Sequence, residues 1–179
     1  MNIDIFRTAD NLDINAIVQL VNRAYRPEAD VSGWTHEANL VSGNRISACQ
    51  VAAILARPNS AIMVGLKDSE MVACVHVEKN GNHSHIGMLA VNPMQQGTCV
   101  GKQMLAHAER YAKEEFGSVK FVMFVLSLRR ELIAFYLRRG YQKTGVILDY
   151  PLSAGAGTPK HADLKIEALE KPFNKRQSE

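Results

Sequence analysis

Leu89-Ala90-Val91-Asn92-Pro93-Met94-Gln95-Gln96-Gly97-Thr98-Cys99-Val100-Gly101-Lys102 decides how this chain is read. The stretch reads as an apolar strand, a short glycine-bearing loop and the start of a helix. Pro93 ends the strand, because proline has no N–H to offer a ladder. Apolar residues then recur at Met104, Leu105, Ala108, Tyr111 and Ala112, which is helical spacing. Gly97 to Gly101 therefore lies where a helix begins. The first N–H groups of a helix have no partner within it, and they carry the positive end of its dipole. Such a loop can seat a phosphate or pyrophosphate. Taken alone, it fits an ordinary strand-to-helix connection equally well. Neither G-x-G-x-x-G nor G-x-x-x-x-G-K-[ST] is present.

Working outward, Phe121 to Leu126 is a continuous apolar run, as expected of a strand buried on both faces. A helix is predicted from about Arg130 to Arg139, with Gly140 suited to its C′ position. Towards the N-terminus, Ile3 to Arg7 alternates like a strand. Asp10 or Asp13 can cap a helix carrying Ile14, Ile17, Val18 and Val21 on one face. Ser47 opens a short helix that stops before Pro58. Ala61 to Leu66 and Val72 to Val77 read as strands joined by a polar turn, and Asn80-Gly81 signals a hairpin into Ser84 to Val91. Tyr141 to Tyr150 is strand-like, Ser153 to Pro159 is expected to be a flexible loop, and Ala162 to Leu169 alternates as a last strand. This order predicts a mixed α/β sheet in one domain over residues 1–172, followed by a disordered tail. Ligand is expected beyond the carboxyl ends of the central strands.

Composition narrows the classes. The 179 residues suit one domain, and 46% hydrophobic residues supply a core. No run reaches the ~18 apolar residues that a membrane-spanning helix needs. The N-terminus shows no basic region followed by an apolar stretch, so no signal peptide is expected. Cys49, Cys74 and Cys99 are odd in number and lack metal-ligand spacing, which reads as reduced thiols in a cytoplasmic protein. A net charge of +3, from 21 basic and 18 acidic residues, does not point to a nucleic-acid partner. Most of the basic pairs read as solvated charge.

Gln96, Cys99 and Gly101 form Q-x-x-C-x-G, which resembles the acyl-CoA-binding pattern [QR]-x-x-G-x-[GA] of the GNAT superfamily of N-acetyltransferases. Leu132 to Tyr141 contains Phe135-Tyr136 and Gly140-Tyr141, resembling the family's F-Y-x-x-x-G-[FY] helix ending. A weaker match joins Gly33-Trp34-Thr35-His36-Glu37-Ala38 with Gly43-Asn44-Arg45. The resemblance implies an acyl-CoA N-acyltransferase fold: a mostly antiparallel sheet with a parallel splayed pair, flanked by helices. It implies acetyl-CoA as cosubstrate, no metal, and an amine acceptor that is a small molecule or a protein N-terminus. Homodimers are common in that family. One departure stands out. Cys99 occupies a position where the family usually has glycine, at a cost of order 1 kcal/mol if positive φ is required. A non-catalytic acyl-CoA-binding module on the same fold is the alternative.

By that resemblance, Leu89, Ala90 and Val91 offer a backbone N–H to the thioester carbonyl. Gln96, Gly97, Thr98, Cys99, Val100, Gly101 and Lys102 hold the pyrophosphate. The basic pairs themselves give one functional reading, attraction of the CoA phosphates by Arg129 or Arg130. Tyr136 maps to the general acid that protonates the departing thiolate, although its spacing also suits a core aromatic. The general base is open among Glu78, His76, His85 and Glu37, with Glu78 the nominee. Trp34, Glu37 and Arg45 are expected on the acceptor side. A tryptophan face and a carboxylate would suit a cationic amine, whereas Arg45 would suit a carboxylate. These hints conflict.

Overall fold

Hydrophobic period and capping residues set the elements that the sequence predicts. The computed structural model describes residues 2–28 and 33–173. The expected disordered tail from Asn174 lies outside them. Strand β1 is Ile5–Thr8, and helix α1 is Ile14–Tyr25. The chain enters α1 through a single 3-10 turn that Asp10 and Asp13 close as a capping box. Strand β2 is Val41–Ser42, and α2 is Ala48–Leu55 with Ser47 as its N-cap, bonded to Gln50 in a second capping box. Strands β3 (Ser60–Lys67), β4 (Glu70–Asn80) and β5 (His83–Val91) form a meander. Helix α3 (Val100–Glu114), β6 (Lys120–Leu126), α4 (Arg130–Leu137), β7 (Gln142–Asp149), β8 (Thr158–Pro159) and β9 (Lys165–Pro172) complete the chain.

Seven strands form one sheet in the order β1-β3-β4-β5-β6-β9-β7. Every neighbouring pair is antiparallel except β5 with β6, which is parallel. Each face buries its own core. Ile62 and Val64 pack with Ile17, Val21 and Val51 under α1 and α2, while Met63 packs with Met104, Leu105 and Tyr136 under α3 and α4. That split follows from the two-residue period of a strand. Among the described residues, no helix is long and apolar enough to cross a membrane.

Two details depart from the sequence reading. The last strand starts at Lys165 rather than Ala162, because His161 to Leu164 is a turn that closes with the Leu164 N–H on the His161 carbonyl. The loop expected to be flexible before Pro159 is tied down instead. Gln50 donates to the carbonyls of Ala154 and Gly155, the Tyr150 hydroxyl donates to Ala156, and β8 pairs with β2. Gly157 lets this loop close: its φ is +99°, and a Cβ there would stand 2.5 Å from the Ser42 carbonyl oxygen.

Candidate active site

Strands β5 and β6 pair only from His83–Lys120 to His85–Val122. Beyond that point β5 runs on to Val91 and β6 to Leu126 without pairing, so the two strands part at their carboxyl ends. A bulge in β5 accompanies the parting. Cys74 faces Ala90 and His76 faces Gly87, so Met88 and Leu89 together oppose Val75. Met88 takes up the extra residue at φ +48°, a left-handed conformation that methionine rarely adopts. The bulge also changes which way side chains point. Ile86 packs into the α3 core, yet Met88 and Ala90 pack into the opposite one, leaving Leu89 and Val91 against the α3 side.

Two cavities flank this opening. One, of about 280 Å³, is walled by Leu89, Val91, Gln96, Gly97, Cys99, Gly101 and Lys102, and by Phe135, Arg138 and Arg139 of the α4 region. The other, of about 440 Å³, is walled by residues 85–88 of β5, residues 122–126 of β6, and Glu37, Arg45, His76, Glu78 and Tyr150. Tyr25, Arg129, Leu132 and Tyr136 line both, so the cavities meet at those four side chains.

The first cavity carries a free helix N-terminus. Val100 begins α3, and Cys99 caps it with no side-chain hydrogen bond. The first N–H groups of α3 have no intrahelical acceptor, as the geometry of any first turn requires. Gly97 has φ +79° and open space where a Cβ would be, and Cys99 has φ +69°. The backbone is thus exposed towards the cavity at its positive end, a geometry suited to a pyrophosphate. Lys102, Arg129, Arg138 and Arg139 line the same cavity. Gln96 uses its side chain differently. Its Oε1 accepts from the Thr35 N–H at 3.1 Å and its Nε2 donates to the Val91 carbonyl at 3.4 Å, which ties the Gly33–Thr35 segment over the loop. Thr98 donates its hydroxyl to the Gln95 carbonyl, Val100 and Ala90 are core residues, and none of these three lines the cavity.

Trp34, Glu37 and Arg45 do not share one cavity. Trp34 lines the first cavity, 5.9 Å from the Phe135 ring, and not the second. The Gln96 tether on Thr35 carries it there. Glu37 and Arg45 do line the second cavity. Glu37 is 5% exposed and bonded twice: Arg26 donates to one carboxylate oxygen at 2.6 Å, and Arg129 lies 3.5 Å from the other. Arg129 also donates to the Thr35 hydroxyl at 2.6 Å, and that hydroxyl donates to Glu131. Arg129 is therefore an ion-paired group at the seam, not a free cation waiting for phosphate.

Tyr136 is 7% exposed, and no hydrogen bond to its hydroxyl occurs among the described residues. Burial pushes its phenol well above the ordinary tyrosine range, with neighbouring Tyr25 adding to the rise, so the proton stays on at neutral and mildly alkaline pH. The base candidates Glu78, His76, His85 and Glu37 all border the second cavity. Glu78 is paired with Arg57 at 2.6 Å. His76 bonds the Ser60 hydroxyl at 2.7 Å, and burial lowers its imidazole to about 4, leaving it neutral but weakly basic. Burial also lowers His85, whose ring lies edge-on to Phe124. Tyr25, Thr35, Arg138 and Arg139 were not expected here. Thr35 falls inside the Gly33–Ala38 match, Arg138 and Arg139 form a basic pair, and Arg139 shares the helical face of Leu132, Phe135 and Tyr136.

Comparison with known proteins agrees with this geometry. The model of the acetyltransferase (GNAT) family matches residues 15–141. The ribosomal-protein-S18-alanine N-acetyltransferase of Escherichia coli superposes with a TM-score of 0.71 at 14% identity, covering 97% of this chain and 96% of that one. The PaiA N-acetyltransferase of Thermoplasma acidophilum, solved in complex with coenzyme A, gives 0.73 at 16% identity, covering 97% and 100%. A ribosomal-protein-alanine N-acetyltransferase of Brucella melitensis gives 0.70 at 15% identity, covering 94% and 99%. No curated protein sequence matches the chain.

Proposed function

The chain belongs to the acetyltransferase (GNAT) family, and we propose that it moves an acetyl group from acetyl-CoA to a primary amine by direct attack on the thioester, within one domain of residues 1–172. The observation that carries this reading is the meeting of two cavities at Tyr25, Arg129, Leu132 and Tyr136. One cavity offers the free α3 N-terminus and three basic side chains, Lys102, Arg138 and Arg139, to a pyrophosphate. The other is a separate entrance for an acceptor. A thioester held at the seam is open to attack from the second cavity while its sulfur lies on the first.

The steps balance with few protein groups. The neutral amine nitrogen bonds to the thioester carbon, and the carbonyl oxygen takes the negative charge. A backbone N–H freed at the β5 bulge, near Leu89, offers a donor to that oxygen. The C–S bond then breaks, the thiolate takes the Tyr136 phenol proton, and the amine proton leaves to restore the phenol through the second cavity. Glu78 stays the nominated base, working through water while paired with Arg57. No covalent acyl-enzyme is required.

Thermal-shift titrations with acetyl-CoA, CoA and ATP test the cofactor assignment. Binding at 100 times Kd stabilises by about 2.7 kcal/mol, which raises Tm by several degrees. A shift with both CoA species and none with ATP is expected, followed by thiol release with an amine. CoA binding without turnover of any amine would leave a non-catalytic acyl-CoA-binding module. No shift with CoA would overturn the assignment.

A further inference from the structure

Charge around the second cavity is unbalanced. Arg26, Arg45 and Arg129 surround Tyr25 and Glu37, and Glu37 is the single fully buried carboxylate there among the described residues. Glu37 is committed to Arg26 and Arg129. Glu78, on the same cavity, is committed to Arg57. Glu131 reaches Arg129 only at 3.8 Å, from an exposed position. Arg45 remains. Its guanidinium lies 5.3 Å from the centre of the Tyr25 ring, it lines the cavity, and it makes no ion pair among the described residues. Its backbone is fixed by the Arg45 N–H donating to Asn22 at 2.7 Å, so the side chain starts from an anchored position.

We propose that the acceptor is a small amino-carboxylate of the α-amino acid class, whose carboxylate binds Arg45 over the face of Tyr25 while its amine reaches the seam at Tyr136. The guanidinium fork matches two carboxylate oxygens in one plane. Arg45 and Arg129 lie 5.3 and 5.6 Å from the centre of the same ring, so Tyr25 bridges the span between the carboxylate site and the seam. That short span suits an amine and a carboxylate on one small molecule. The two features that suggested a cationic acceptor no longer compete: Trp34 faces the other cavity, and Glu37 is already neutralised.

This inference rests on the acetyltransferase reading, and its test separates the two. The twenty L-amino acids are assayed against their α-amides and the corresponding decarboxylated amines, at fixed acetyl-CoA, by thiol release. The wild type is expected to favour at least one free acid over its amide by ten-fold or more in kcat/KM. Arg45→Gln is expected to raise KM for that acid at least ten-fold, to leave KM for its amide and for acetyl-CoA within two-fold, and so to erase the preference. Arg45→Lys should recover part of it, which a folding defect would not. Preference for amides or plain amines, or an equal loss on acid and amide, overturns the carboxylate site, and amide preference points to protein N-termini instead. If no amine is turned over, the acetyltransferase reading fails. Calorimetric titration of the CoA-saturated protein with the same acids then decides the site: binding that Arg45→Gln abolishes retains it, and no binding rejects it.

Discussion

The Arg129 guanidinium lies 3.5 Å from the Glu37 carboxylate, with the two side chains 7% and 6% exposed, at the seam where both cavities meet. Glu37 thus compensates two buried arginines, Arg26 and Arg129, that come from different parts of the chain. Arg26 adds bonds to the carbonyls of Gly43 and Ala156, so the cluster joins α1, β2, the loop before β8 and the start of α4.

Glu37→Gln keeps the shape and removes the charge. Breaking a buried ion pair from one side costs roughly 3–5 kcal/mol, because the partner charge stays buried. Denaturant unfolding of this variant is expected to show a loss of that order. A loss below about 1 kcal/mol would mean that water already compensates the arginines.

Tyr136 tests the chemistry. Its hydroxyl has no partner among the described residues, so removing it leaves the fold intact. Tyr136→Phe is expected to lower kcat ten-fold or more at alkaline pH, with acetyl-CoA affinity little changed. The measurement is steady-state kinetics across pH 7 to 10. An unchanged kcat would remove the phenol from the mechanism.

Cys99 sits at φ +69°, where a non-glycine residue carries strain of about 1–2 kcal/mol. Glycine relieves that strain but loses about 0.4–1 kcal/mol through the freer unfolded chain. Cys99→Gly is therefore expected to be neutral to mildly stabilising by thermal melt, with CoA binding kept or tightened. Weaker CoA binding would show that the thiol is an adapted part of the loop.

His76 predicts an acid limit. The unfolded chain takes a proton on this histidine below about pH 6.5, whereas burial holds the folded imidazole neutral down to about 4. Between these values unfolding takes up a proton, so stability falls as pH falls. The loss attributable to this group reaches roughly 3 kcal/mol at the bottom of the window. His76→Gln should flatten that part of the stability–pH curve measured by denaturant unfolding. Parallel curves for the two proteins would refute the assignment.

Much of this architecture was legible in the chain. The strand–loop–helix from Leu89 to Lys102 and the helix ending at Gly140 carried the family resemblance, and Asp10, Ser47 and Asn80-Gly81 marked helix starts and a hairpin that the structure contains. These features depend on neighbours within a few residues, which is why periodicity and capping chemistry reveal them. The cavity walls were legible only in part. Glu37 and Arg45 fall on the second cavity, but Trp34 does not. Its position depends on the Thr35 N–H donating to Gln96, sixty-one residues away in sequence, and no local pattern records that bond.

The same division runs through the chemistry. Local sequence determined that a helix starts within Gly97 to Gly101, where the first N–H groups have no intrahelical acceptor because a first turn has no earlier carbonyls to bond. It also determined that Cys99 would carry strain if its φ were positive. Only the tertiary structure decided that φ is positive there, that β5 bulges at Met88 and turns Leu89 and Val91 towards the cavity, and that Glu37 pairs with Arg26 and Arg129 while Arg45 is left without a counter-charge among the described residues. Charge pairing and strand parting are set by which distant segments pack together, and that depends on the whole core rather than on any window of the chain.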